Sequence, residues 1–214
     1  MRHRFLKTAA AGFTTAWIVA LAIGAAKLWS YDGTAGPAAQ PPKTWPSASH
    51  IFHTPGSPAL LVFIHPKCPC SRATIGELAK LMTHCPELAA TVVVIHPAKA
   101  PADWLQTDLC TDAASIPHVT LFTDDEGKET HRFGAGTSGQ TLFYDAGGRL
   151  LFAGGITESR GHSGDNAGES AIMSLDLHPT SNPVATILSS PVYGCSLFDT
   201  PDSSQQSGGA ICQP

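Results

Sequence analysis

Positive charge is scarce in this chain, and it is scarcest in the part that would meet a partner. Thirteen Lys and Arg stand against 17 Asp and Glu in 214 residues, and four of the basic ones (Arg2, Arg4, Lys7, Lys27) fall in the first 27 positions, where there is no acid. The remainder carries nine basic and 17 acidic groups, a net of about −8 with histidine neutral. Such a surface has no electrostatic footprint for DNA or RNA, so nucleic-acid partners are excluded. Charge of either sign amounts to only 14% of residues, too little for a charged helical bundle. There is no internal repeat, no Ser-His-Asp constellation and no obvious carboxylate pair. Gly134-Ala135-Gly136-Thr137-Ser138-Gly139 matches GxGxxG by letters. It precedes a strand instead of joining strand to helix, so the phosphate-cradling geometry is missing.

Charge is also absent from Thr8 to Ala26, 19 residues behind the basic flank Arg2, His3, Arg4 and Lys7. At about 1.5 Å per residue this run is long enough for a hydrocarbon core of about 30 Å. Lys27, Trp29 and Tyr31 follow, the mix found at a membrane–water interface. The basic flank on the N-terminal side puts the rest of the chain outside the cytoplasm, on the periplasmic or extracellular side. Two readings stay open for residues 1–29: an uncleaved single-pass membrane anchor, or a signal sequence cut near Ala22, Gly24 and Ala25. Residues 30–57 contain Pro37, Pro41, Pro42, Pro46 and Pro55 and read as an extended linker.

The segment 58–178 has the pattern of one α/β domain. Ala59 to His65 and Thr91 to His96 are nearly continuous apolar runs, as expected of strands buried on both faces. Between them Ile75, Leu78, Leu81, Met82 and Cys85 recur at helical spacing, which predicts a helix over Ser71–Cys85 ended by Pro86. A second helix is expected from Pro101 to Ala114, a strand over Val119–Phe122, and a short helix from Glu126 to Phe133. Thr141–Tyr144 and Leu150–Ala153 flank Asp145-Ala146-Gly147-Gly148-Arg149 and predict an antiparallel hairpin. A last helix, Asn166 to Leu177, has Asp165 as its expected N-cap. The remainder, 179–214, reads as a C-terminal extension whose end, from Thr200, is Ser/Gln/Gly-rich and disordered in composition. A βαβ unit, a helix and strand, a hairpin and a closing helix make a thioredoxin-like mixed sheet with helices on both faces, here preceded by a transmembrane helix.

Six cysteines occur, at 68, 70, 85, 110, 195 and 212, in a chain expected where disulfides persist. Cys68 and Cys70 lie in His65-Pro66-Lys67-Cys68-Pro69-Cys70-Ser71-Arg72, where the first strand hands over to the first helix of the domain. Unpaired amides and the helix dipole at a helix N-terminus favour thiolate over thiol, and Lys67 and Arg72 add positive potential. Cys195, beyond the last helix, is a candidate third thiol. Cys85 and Cys110 sit on apolar positions, and pairing among Cys85, Cys110, Cys195 and Cys212 is left open by the sequence.

Leu61 to Arg72 resembles the first strand and active-site turn of thioredoxin-like proteins, in particular the membrane-tethered TlpA/ResA-like group, through Phe-x-x-Pro-x-Cys…Arg. Val119 to Asp124, Arg132-Phe133-Gly134 and Thr141 to Gly148 resemble the second half of that family. His65 to Thr74, with Gly154-Gly155-Ile156-Thr157 and Arg160 to Gly168, is most similar to RedB-type proteins. The resemblance implies that Cys68 is the nucleophile and that the partners are protein thiols or disulfides. The chain departs from the family twice. The family's resolving cysteine falls on Ser71, with Cys70 one place early, and its cis-proline falls on Gly139. Ile116-Pro117-His118 is a poorer place for that proline, since it leaves the hairpin unaccounted for. No peroxiredoxin-style arrangement of Pro, Thr and Cys surrounds Cys68.

The sequence therefore points to an extracytoplasmic thiol–disulfide oxidoreductase without a cofactor, using Cys68 and Cys70, with Lys67, Ser71, Arg72 and Gly139 in support. Two alternatives stay open: a redox-inactive protein-binding domain, and a Cu(I)-binding module. For the latter Cys68, Cys70, His65 and His162 are the candidate ligands, with Cys195 a further one. That module is similar to copper chaperones of the SCO kind, although those space their cysteines Cys-x-x-x-Cys.

Overall fold

The computed structural model describes residues 2–177 and 187–198. It divides into two compact units, one ending at Thr34 and the other starting at Ala35. The first is a single helix, α1 (Arg2–Asp32). Its stretch Ala10–Asp32 is 23 residues long and apolar enough to cross a membrane, and at about 1.5 Å per residue it covers roughly 35 Å. Trp17, Ile18, Val19, Leu21 and Ile23 are all exposed, as suits either a membrane anchor or a signal sequence.

The second unit is built on a six-stranded sheet. Strands β1 (Ala59–Ile64), β2 (Ala89–His96), β3 (Val119–Asp125), β4 (Gln140–Tyr144), β5 (Leu150–Gly154) and β6 (Leu188–Ser189) lie in the order β3-β2-β1-β4-β5-β6. β1 runs parallel to β2 and β2 to β3, whereas β4 is antiparallel to β1 and β5 to β4. A parallel βαβ unit extended through an antiparallel hairpin is the thioredoxin-like arrangement, and the sheet is mixed as the sequence predicts.

Period-two alternation along β1 explains the two layers of core. Leu60, Val62 and Ile64 pack with Ile75, Leu78 and Leu81 of α2 (Ser71–His84), Leu109 and Ala113 of α3 (Asp108–Ser115), and Ile172 and Leu175 of α5 (Ala167–Leu177). Leu61 and Phe63 belong to a second cluster with Phe133, which follows α4 (Lys128–Arg132), and with Leu142, Tyr144, Ile51 and Leu197.

Three expectations about local structure are corrected. Residues 35–57 are no free spacer. Ile51 is buried, and Trp45 packs edge-on against Phe133 and Tyr144. The Lys43 carbonyl accepts the Leu150 amide at 2.9 Å, and the Pro42 carbonyl accepts the Tyr144 hydroxyl at 3.0 Å. Prolines make this stretch extended, yet its aromatic and aliphatic residues gain enough burial to lay it on the domain. The second helix begins not at Pro101 but at Asp108, because the Thr107 hydroxyl caps the Cys110 amide at 3.2 Å. The preceding residues form turns pinned by the Trp104 indole, which donates to the Ile95 carbonyl at 2.8 Å. The N-cap of α5 is Asn166 rather than Asp165: its Oδ1 accepts the Glu169 amide at 2.8 Å. The expected tail from Thr200, with Cys212, lies outside the described residues.

Candidate active site

The first domain helix starts where β1 ends, after a tight turn. The Cys68 amide donates to the His65 carbonyl at 3.0 Å and the Ser71 amide to the Cys68 carbonyl at 3.1 Å. Cys70 is the N-cap residue of α2, and its side chain does not cap the helix. Cys68 and Cys70 are both buried, but neither belongs to the two apolar clusters. They lie instead against a strap of chain formed by residues 190–198.

That strap brings in Cys195. Its Sγ is 2.7 Å from Cys68 Sγ across 127 positions of sequence, and the sulfurs of Cys68, Cys70 and Cys195 all lie within 4.8 Å of one another. The strap is held by its backbone. The Ser138 amide donates to the Cys195 carbonyl at 2.8 Å, and the Leu197 amide to the Gly136 carbonyl at 3.0 Å. Thr137 and Ser196 pair as an antiparallel bridge. From the other side the Arg160 guanidinium donates to the Gly194 carbonyl at 2.5 Å. A side chain at 194 has no room there, so glycine is what lets Cys195 reach the thiols.

The electrostatics separate the three sulfurs. Cys68 is held far below the ordinary thiol range, first by hydrogen bonds from the Cys195 and Cys70 thiols, which outweigh its burial, and then by the Cys195 backbone and Ser71. Cys195 is pushed far up, by its hydrogen bonds to Cys68 and then Cys70 and by burial. Cys70 is influenced most by a downward pull from Cys195, but Cys68 and burial outweigh it and raise the thiol. Among the three sulfurs, Cys68 is thus the one whose surroundings favour the thiolate, and Cys70 and Cys195 are the ones biased toward the thiol.

The remaining predicted residues fall around this centre. Ser71 Oγ is 2.7 Å from Ser138 Oγ, and Ser138 Oγ also accepts the His65 amide at 2.8 Å. Lys67 lies over the Trp104 ring, 4.9 Å from its centroid, and Arg72 pairs with Asp108 at 2.5 Å. Both cations therefore have partners other than the sulfurs, and Asp108 is lowered by that pairing. Gly139, in the family's proline position, adopts φ +95° and donates its amide to the Phe63 carbonyl at 2.8 Å. The described residues include no cis peptide.

The two histidines proposed as ligands are not brought into the sulfur cluster. His65 packs edge-on against Trp104, and its Nδ1 accepts the Lys67 amide at 3.2 Å. Burial first, and then the competing charges of Cys68 and Lys67, leave its pKa lowered. His162 is exposed, with Nδ1 2.8 Å from the Arg160 carbonyl. Cys85 and Cys110 are free thiols in the larger core cluster; burial and then Asp176 push Cys85 up to about 12.

Three functional positions escaped the sequence reading. Ser138 ties β1, α2 and the strap together, yet it lies inside the dismissed glycine-rich hexapeptide. Arg160 grips the strap from a polar, glycine-rich helix-entry loop that gave its arginine no particular partner. Glu77 on α2 accepts the Gly164 amide and Lys80 Nζ, each at 2.9 Å, anchoring the loop that carries Arg160. Burial and then a hydrogen bond donated to Glu77 raise Glu169, so these residues form the carboxyl pair that no spacing announced.

No protein-family model matches the sequence, and no curated protein matches it. Solved structures do superpose on it. A hypothetical protein from Sinorhizobium meliloti 1021 is 18% identical with a TM-score of 0.57, covering 78% of this chain and 96% of its own. An uncharacterized conserved protein from Geobacillus kaustophilus is 15% identical with a TM-score of 0.55, covering 79% of this chain and 94% of its own. A looser superposition, TM-score 0.41 at 17% identity, is with a secreted Mycobacterium tuberculosis disulfide oxidoreductase homologous to E. coli DsbE; it covers 57% of this chain and 82% of that one. The likeness at these identities is one of fold.

Proposed function

We propose that this protein is an extracytoplasmic thiol–disulfide oxidoreductase, carried by its N-terminal helix and acting on protein thiols or disulfides. Within the thioredoxin-like superfamily, residues 65–74 favour the membrane-tethered, RedB-type group. The observation that carries the reading is the contact of Cys68 with Cys195 at 2.7 Å, just before α2, where the surroundings of Cys68 lower its thiol pKa.

In the forward direction the Cys68 thiolate attacks one sulfur of a partner disulfide, forming a mixed disulfide and releasing the partner's other sulfur as thiolate. A second thiol of the site, Cys195 or Cys70, passes its proton to that departing thiolate and attacks Cys68 Sγ. The partner leaves fully reduced, and the two electrons it gained come from the two site cysteines, which are left oxidised as an internal disulfide. A dithiol of another protein resets the site by the same exchange. The reverse sequence oxidises a partner dithiol.

Cys68→Ser abolishes exchange between the full-length protein and a model disulfide substrate. Cys70→Ser and Cys195→Ser retain the first step, and the variant lacking the resolving thiol accumulates a mixed disulfide visible by mass spectrometry. Full activity in Cys68→Ser overturns the reading.

A further inference from the structure

We propose that the reduced protein binds one Cu(I) ion between the sulfurs of Cys68, Cys70 and Cys195. Three sulfurs sharing one ion at bonds of about 2.3 Å stand about 4 Å apart. The three Sγ atoms lie within 4.8 Å of one another before any ion enters. The Cys68–Cys195 contact of 2.7 Å is too close for two sulfurs on one ion, and it opens by a small withdrawal of the strap. Among the described residues no other three potential ligating side chains converge in this way.

The donor set selects the metal. Three thiolates with no oxygen or nitrogen donor are a soft site, which suits Cu(I). Structural zinc takes four ligands, and neither candidate imidazole, of His65 or His162, joins the three sulfurs through either ring nitrogen. The ligands are also held from behind. The Cys195 carbonyl is fixed by the Ser138 amide, the Gly194 carbonyl by Arg160, and Cys70 by its place at the start of α2. Preorganisation of this kind spares the site the ordering cost of gathering its ligands. Burial of Cys68 and Cys70 keeps competing water away.

Binding moves protons and no electrons. The three cysteines bind Cu(I) as thiolates, so each one that enters as a thiol releases its proton to solvent, leaving a tris-thiolate complex. The metal and an internal disulfide use the same sulfurs, so each state excludes the other. Cu(I) is bound only by the fully reduced site and shields it from oxidation.

The full-length protein, reduced in detergent without oxygen, is titrated with Cu(I) against a chromophoric Cu(I) chelator. One equivalent is expected to be retained, with three sulfur neighbours and no nitrogen in X-ray absorption. Cu(I) is also expected to protect Cys68, Cys70 and Cys195 together from maleimide in the wild-type protein, a readout that needs no variant to fold. Cys195→Ser is expected to weaken retention at least about tenfold and to leave two sulfur neighbours, whereas His162→Ala changes neither. No retention, a nitrogen neighbour, undiminished affinity in Cys195→Ser, or preferential uptake of Zn(II) each overturns the proposal. Disulfide exchange is measured on the same samples without metal, so failure to bind Cu(I) and failure of the redox reading are told apart.

Discussion

Gly194 lies so close to Ser138 that a β-carbon on it would stand 1.8 Å from the Ser138 carbonyl oxygen. The obstacle is backbone on a strand-flanking turn, which cannot swing aside as a side chain would. The residue before the third thiol is therefore fixed as glycine by packing.

Gly194→Ala should push the strap off residues 136–138 and separate Cys195 from Cys68. Overpacking of this kind costs about 1–3 kcal/mol. The expected result is faster alkylation of Cys195 in the folded protein, together with a lower midpoint of chemical unfolding. Unchanged labelling would mean that the strap tolerates the added methyl group.

Cys195→Ala removes the hydrogen bond that contributes most to lowering the Cys68 thiol. The pH midpoint of Cys68 alkylation should rise toward the ordinary thiol range. Because the midpoint reports protonation, it separates this effect from any gain in access when the strap loosens. Below the new midpoint each unit of increase means about a tenfold loss of thiolate.

Glu169 is raised above its ordinary 4.5 by burial and by its contact with Glu77. A carboxyl whose pKa is raised on folding stabilises the fold below the unfolded value and loses that contribution as pH climbs through the folded value. Glu169→Gln keeps the neutral shape without the ionisation. It should raise Tm by a few degrees at pH 7, and the difference from wild type should vanish below about pH 4, where both are neutral. A thermal melt at the two pH values decides it.

Asp124 is buried, and its carboxylate accepts the Glu129 amide at 2.8 Å, the Thr130 amide at 2.7 Å and the Thr130 hydroxyl at 2.6 Å. It caps the short helix α4, and no water replaces it there at low cost. Asp124→Ala should cost about 3 kcal/mol in equilibrium unfolding. Exchange activity per folded molecule should be unchanged, because Asp124 lies on β3, two strands away from the β1 end that carries Cys68.

Much of this fold is legible because its strands and first domain helix obey simple periods. Leu60 to Ile64 and Val92 to Ile95 are apolar enough to be central strands, and Ile75, Leu78 and Leu81 trace one face of α2. The start of α2 could be read as well, since Pro69 and Ser71 bracket a helix N-terminus with Cys70 at its cap. Other features are properties of distance. Nothing in the composition of 35–57 shows that Trp45 finds Phe133 and Tyr144, because only the folded sheet brings those rings together. The choice between Asp165 and Asn166 as cap turns on one residue of backbone geometry that both side chains satisfy chemically. Glu77 and Glu169 are each unexceptional helix residues until α2 and α5 pack. The partners of Lys67 and Arg72 were hidden for a similar reason: Trp104 and Asp108, which those cations meet, are remote in sequence. Cys195 was a candidate because it follows the last helix and could fold back to the turn, and its 2.7 Å approach to Cys68 is held by Ser138 and Arg160.

The strap's pairing with residues 136–138 has one more consequence. The backbone of residues 136–138 beside Cys68, where a visiting polypeptide would lay itself down as an added strand, already has an occupant belonging to the same chain. A tethered occupant competes at an effective concentration on the order of millimolar. Under the proposed function, a partner must displace that resident peptide or exchange with it, so residues 190–198 decide which partners reach Cys68.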